Sequence, residues 1–164
     1  MSDQALLRGT VVCSAGSWDP AQETGRIVAD YDQRHRRRIL LRSEAGQEVL
    51  LDLARTQHLR DGDAIACDDG SLMRIVSLPE RLLSITAATP EALLRLAWHL
   101  GNRHLPTSLT AERLLIREDH VIADMVRGLG GSVSAILAPF DPETGAYDAP
   151  AATGHHHHPG DHGH

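Results

Sequence analysis

Six of the eleven histidines fall within the last ten residues: His155, His156, His157 and His158 in one run, then His162 and His164. Neutral imidazole is the commonest protein ligand for borderline divalent metals, and His-rich tracts are a compositional signal of metal binding. Pro159-Gly160-Asp161 interrupts the tract. An expression tag is usually unbroken, so the pattern reads as native. A stretch this rich in imidazole and this poor in apolar side chains cannot enter a core. Residues 141–164 are therefore expected to form a disordered tail able to hold nickel, copper or zinc reversibly.

Two further histidines sit where a folded domain could present them. His104 lies in Leu100-Gly101-Asn102-Arg103-His104-Leu105-Pro106, at the end of an apolar helix. A histidine there is either a metal ligand or a residue satisfying the helix dipole. His120 follows the capping Asp119. A helix N-terminus disfavours positive charge, which keeps an imidazole neutral and able to ligate. The alternative is a solvent-exposed first-turn residue. Glu118 lies two residues earlier and could add an oxygen. His99 reads as an amphipathic surface or interface residue. His35 and His58 have no partner at ligand spacing and receive no role. Arg34-His35-Arg36-Arg37-Arg38 reads as a solvated strand edge, where charge blocks edge-to-edge pairing, or else as a docking patch for an acidic partner. Gly-x-Ser-x-Gly, Walker-loop, Cys-x-x-Cys and His-Glu-x-x-His motifs are all missing from the sequence, so a non-enzyme is expected.

The elements that must position these residues come from a chain of 164 residues with 41% hydrophobic and only 3% aromatic content. The core must rest on Leu, Ile, Val and Ala. Each half alone has a modest core, which makes dimerisation a natural source of stability. The net charge of −6 argues against nucleic acid as a partner. No apolar run is long enough for a membrane span. Met1–Ala5 lacks the charged and apolar regions of a signal peptide, so a cytoplasmic location is expected. Cys13 and Cys67 sit in apolar, strand-like settings and read as reduced core thiols, with a disulfide between them left open.

Residues 1–78 alternate between β-rich runs and turns: Leu6–Cys13, Arg26–Ala29, Arg37–Arg42, Glu48–Leu53, Ala64–Cys67 and Leu72–Leu78. Asp68-Asp69-Gly70-Ser71 is a hairpin signal. A small all-β barrel or sandwich is expected. The pattern changes over 79–140. A strand at Arg81–Ala87 is followed by Thr89-Pro90-Glu91, an N-cap with proline at the first helical position, and by a helix that Gly101 and Pro106 are expected to end. A short strand near Ser108–Leu109, a strand at Arg113–Arg117, a helix capped by Asp119 and closed by Gly128, Gly130 and Gly131, and a strand at Ser132–Ala138 complete a β-α-β-β-α-β order. That order is the ferredoxin-like arrangement. The fold class is α+β.

Four stretches together resemble the UreE family of urease accessory metallochaperones: Leu59-Arg60-Asp61-Gly62-Asp63 with Asp69-Gly70, then Leu100-Gly101-Asn102-Arg103-His104, then Asp119-His120-Val121-Ile122-Ala123-Asp124-Met125, and the His-rich C-terminus. The resemblance spans nearly the whole chain. It implies a homodimer with a partner-binding β domain and a ferredoxin-like domain that carries metal. His104 would bind Ni(II) across the two-fold axis. Nickel would be delivered to apo-urease together with the GTPase UreG and the UreF/UreD–urease apoprotein complex. His120 would form a lateral site for Zn(II) or Cu(II). Some relatives carry a histidine where this chain has Glu118, which weakens that site. The reading that competes is a nickel, zinc or copper buffer that uses the tail without directed transfer.

Overall fold

Alternation of apolar and polar residues along β4 (Glu48–His58) shows how the first sheet forms: Val49, Leu51 and Leu53 are buried, and their neighbours are not. The computed structural model describes residues 5–145. Beside β4 stand β1 (Leu7–Cys13), β2 (Gly25–Ala29), β3 (His35–Arg42), β5 (Ala64–Cys67) and β6 (Leu72–Ser77). They make one six-stranded sheet in the order β2-β6-β5-β1-β4-β3. The β1–β4 and β2–β6 pairs are parallel and the remaining pairs antiparallel. Ile27, Leu41, Ile65, Met73 and Ile75 join the β4 residues in its core. Gly9 permits the close approach of β1 to β5, since a Cβ there would fall 2.2 Å from Ile65 Cγ2. The register pairs Gly9 with Cys67 and Cys13 with Ala64. The two cysteines thus sit at opposite ends of the strand pair, more than about 10 Å apart and beyond disulfide reach, and both are free.

A one-turn helix, α1 (Tyr31–Arg34), interrupts this half. Its run is too short to show helical periodicity. Its signature is the capping box: the Asp30 side chain accepts the Gln33 N–H and the Gln33 side chain accepts the Asp30 N–H.

The second half holds β7 (Glu80–Thr86), α2 (Pro90–Asn102), β8 (Ser108–Leu109), β9 (Leu114–Arg117), α3 (His120–Gly128) and β10 (Ser132–Ala138). Its strands form an antiparallel sheet in the order β10-β7-β9-β8. Leu93, Leu96 and Leu100 of α2 and Ile122 and Val126 of α3 pack on Leu83, Ile85, Leu114 and Ile116 across one face. The opposite face, through Leu82 and Leu115, packs on Phe140 and Tyr31. No helix among the described residues is long and apolar enough to cross a membrane.

The two sheets meet at Arg34, which is fully buried. Its guanidinium donates to the carbonyls of Ala29 (3.2 Å), Leu59 (3.0 Å) and Phe140 (2.5 Å) and pairs with Asp141 Oδ1 at 2.7 Å. Residues beyond 140, which composition alone assigns to a disordered tail, therefore begin as packed structure. Phe140 and Pro142 are buried, and the Glu143 N–H donates to Thr107 O at 2.9 Å. The physical reason is that a buried guanidinium needs an anion and carbonyls to satisfy it, and this segment supplies them.

Burial raises the Asp141 pKa, but hydrogen bonds from His58 and Arg34 and the charge of Arg34 outweigh it and hold the carboxyl below its ordinary value. A carboxyl depressed in the folded state stabilises the fold above its unfolded pKa, about 4. That contribution vanishes as pH falls through the folded pKa. Asp141→Asn is expected to lower the unfolding free energy near neutral pH by about 1 to 2 kcal/mol, the size of a charged hydrogen bond that is partly exposed. It should also flatten the acid limb below about pH 4. Urea unfolding of both proteins across that range checks this.

Candidate metal site

The helix that presents His104 is well specified at its start. The Thr89 hydroxyl accepts the Ala92 N–H at 3.1 Å, and Pro90 occupies the first turn. Its end departs from expectation. Gly101 does not stop α2 but lies inside it, and the helix runs to Asn102. The stop is His104 itself, at φ +55°, the one non-glycine residue in the left-handed region among the described residues. The His104 N–H donates to Gly101 O (3.0 Å) and the Leu105 N–H to Leu100 O (3.4 Å). These are the two bonds of a Schellman cap, with His104 in the position that glycine usually takes. Helix α3 ends with the same pair of bonds, Gly130 to Arg127 and Gly131 to Val126. There the left-handed residue is Gly130, at φ +88°. The same backbone device therefore occurs twice, once with its usual residue and once with an imidazole.

His104 is exposed and lines a cavity of about 430 Å³ together with Tyr31, His35, His58, Glu143 and Gly145. His35 and His58 face each other across β3 and β4, with ring centroids 5.8 Å apart. The Tyr31 ring lies 5.5 Å from His35 and 5.3 Å from His58. The His35 Nδ1 is buried without a hydrogen-bond partner, and the His58 Nε2 contacts Arg34 at 3.2 Å. Sequence reasoning missed this pair, because only the strand register brings the two residues together. The cavity also receives the last described residues of the chain. The tail histidines His155, His156, His157, His158, His162 and His164 lie outside the described residues.

His120 opens α3 and is exposed. Asp119 caps the helix by accepting the Val121 and Ile122 N–H groups at 2.9 and 3.1 Å. His120 lines a different cavity from His104, about 370 Å³, with Glu118, Asp119 and Arg127. Glu118 is already paired with Arg81 at 2.8 Å. His99 packs against Trp98, ring centroids 5.1 Å apart. Among the described residues no three His, Cys, Asp or Glu side chains are grouped so as to hold a metal ion. The described residues therefore bring imidazoles to the rim of a cavity without assembling a closed coordination sphere among themselves.

The UreE urease accessory protein N-terminal domain matches residues 10–78, and the C-terminal domain of the same protein matches residues 80–164. The chain belongs to the UreE family of urease accessory proteins. It is 53% identical over 153 residues to the urease accessory protein UreE of Rhodopseudomonas palustris strain HaA2, covering 93% of this chain and 70% of that one. It is 45% identical to that of Chelativorans sp. strain BNC1 over 94% of this chain and 96% of the relative. With the Rhodobacter capsulatus protein the identity is 43%, over 94% and 95% respectively. The relatives are named as accessory proteins, not as enzymes. Gly101-Asn102-Arg103-His104, one of the stretches that carry the resemblance, coincides with the last turn of α2 and its left-handed cap.

A left-handed conformation costs a non-glycine residue about 1 kcal/mol. His104→Gly is expected to be more stable than His104→Ala by about that amount, although glycine weakens most helical positions. Thermal and urea unfolding of the two variants checks the assignment.

Proposed function

We propose that the chain is a cytoplasmic nickel metallochaperone for urease maturation, with Ni(II) as cargo. His104 would take the ion at the two-fold axis of a homodimer, and the histidines of the C-terminal tail would assist. The observation that carries the reading is the placement of His104. An exposed imidazole is held in a strained cap position, at the rim of a cavity that the end of the described chain also enters. Family membership supplies the urease context.

The donor set suits a carried ion. A single His104 is a poor site, but an isologous dimer doubles it around one axis. Nickel accepts nitrogen and oxygen ligands in square-planar or octahedral geometry, so spare positions remain for tail imidazoles. His155 follows Gly145 by ten residues, a reach of up to about 33 Å. Tethering to the cavity rim raises the local ligand concentration. Copper and zinc compete for the same imidazoles by intrinsic affinity. His120 would be a secondary Zn(II) or Cu(II) position, weakened by the Arg81–Glu118 pair. We infer that the metal-bearing half is ferredoxin-like, which its β-α-β-β-α-β order and the strand order β10-β7-β9-β8 support. Leu94 and Trp98, one turn apart on α2, are 73% and 64% exposed, an apolar face suited to a second copy. The β half would engage UreG and the UreF/UreD–urease apoprotein complex. The two unpaired thiols suit a reducing compartment.

Calorimetric titration of Ni(II) into protein truncated after Ala152 is expected to retain one tight site per dimer, and His104→Gly in that background should remove it. Tight binding that vanishes with the tail alone, with no further effect of His104→Gly, would favour the buffer reading. Leu94→Asp with Trp98→Asp is expected to shift sedimentation to the monomer and abolish the shared site while tail binding persists.

A further inference from the structure

The arginine run is not absorbed by the metal reading. Strand β3 is an edge of the six-stranded sheet, where charge protects against edge-to-edge pairing, but the arginines continue beyond that strand. Here the register breaks between Arg36, opposite Gln57, and Arg38, opposite Asp52. Arg37 faces the bulge and donates to Leu53 O at 3.4 Å. That bulge contains Arg55, in the outer part of β4 beyond Leu51, which β1 does not flank and where the ladder to β3 is interrupted. Arg36, Arg37, Arg38 and Arg55 are all exposed, and none pairs with a carboxylate among the described residues. The nearby carboxylate, Asp52, is already held by Arg8 at 2.5 Å. Its pKa is lowered first by that hydrogen bond, against burial, and then by the charges of Arg38, Arg8 and Arg37. Leu40, on the same face as Arg38 by strand alternation, is 52% exposed.

We propose that the exposed edge of β3, with the bulge of β4 beside it, is a docking surface for an acidic segment of a partner protein, gripped by Arg38 with Leu40 as its apolar contact on one face and by Arg36, Arg37 and Arg55 around the bulge. Arginine's planar fork matches carboxylates in two-point contact. A surplus of unneutralised guanidinium on a chain of net charge −6 makes a steep local field that orients an acidic partner as it approaches. Nucleic acid fits less well. The patch is confined to one hairpin, the rest of the chain repels an extended polyanion, and a phosphate backbone has no use for Leu40. The inference rests on the proposal that the β half engages protein partners; it does not rest on the nickel reading, and either can fail without the other.

The test is fluorescence anisotropy with a labelled peptide of alternating Glu and Val, on the full chain. The Arg37→Ser/Arg38→Ser/Arg55→Ser variant is expected to weaken binding by at least about tenfold. Arg95→Ser/Arg113→Ser/Arg127→Ser, with the same change in net charge, should leave it within about twofold. Binding should fall steeply as ionic strength rises through about 0.15 M. Leu40→Ser should weaken it at every salt concentration. Arg38→Glu alone gives the same ordering should the triple variant unfold. Equal losses in both triple variants, no binding by the wild-type chain, or tighter binding of a single-stranded oligonucleotide of equal charge would each overturn the proposal.

Discussion

The buried guanidinium of Arg34 is the contact through which the halves of this molecule are set against one another. It takes carbonyls from the last residue of β2, from the residue after β4 and from the segment after β10, together with one carboxylate. A charge with these partners removed would be strongly destabilising, so the four elements are obliged to stay in place together. The candidate site inherits that obligation. His35 follows Arg34 directly, and His58 touches it. The Phe140–Asp141 anchor brings Glu143 and Gly145 to the cavity that His104 lines. None of those groups would share a rim if the clamp were open.

Strain marks the other determinant. Both helices of the second half end in the same Schellman geometry, and only one does so with glycine. Evolution of stability alone would put glycine, or a short polar residue, at position 104. A bulky imidazole held there at a cost of about 1 kcal/mol is the kind of local compromise that accompanies function. The cap bonds also fix the backbone, so the ring departs from a defined point and not from a loose loop.

Much of the architecture is legible from patterning. Five of the six β runs of the first half and the alternating order of the second fall within a residue or two of their observed bounds, because their apolar periods are clean. The exceptions have local causes. Alternation in β4 fails at Arg55, inside the bulge, so pairing out to His58 is hidden. Helix α1 is a single turn. Phe140 and Asp141 lie in a stretch whose Pro and Gly content conceals one buried ring and one ion pair. Of the site, the chemistry of His104 and its place at a helix end are readable, and its left-handed backbone is not, since glycine would have been the expected signal. His35 and His58 become neighbours only through a register that includes a bulge.

The separation of the thiols carries a consequence for which ions can be held. Cys67 is buried, and burial pushes its thiol pKa up. Cys13 sits at the far end of the same strand pair. These are the only two cysteines in the chain, and neither lines the cavity at His104, whose walls offer imidazole, phenol and carboxylate. Thiolate and thioether sulfur suit cuprous copper, whereas imidazole and carboxylate suit borderline divalent ions. The β-sheet register thus keeps both sulfur atoms away from this cavity, so a cation entering it would meet only nitrogen and oxygen donors from the described residues.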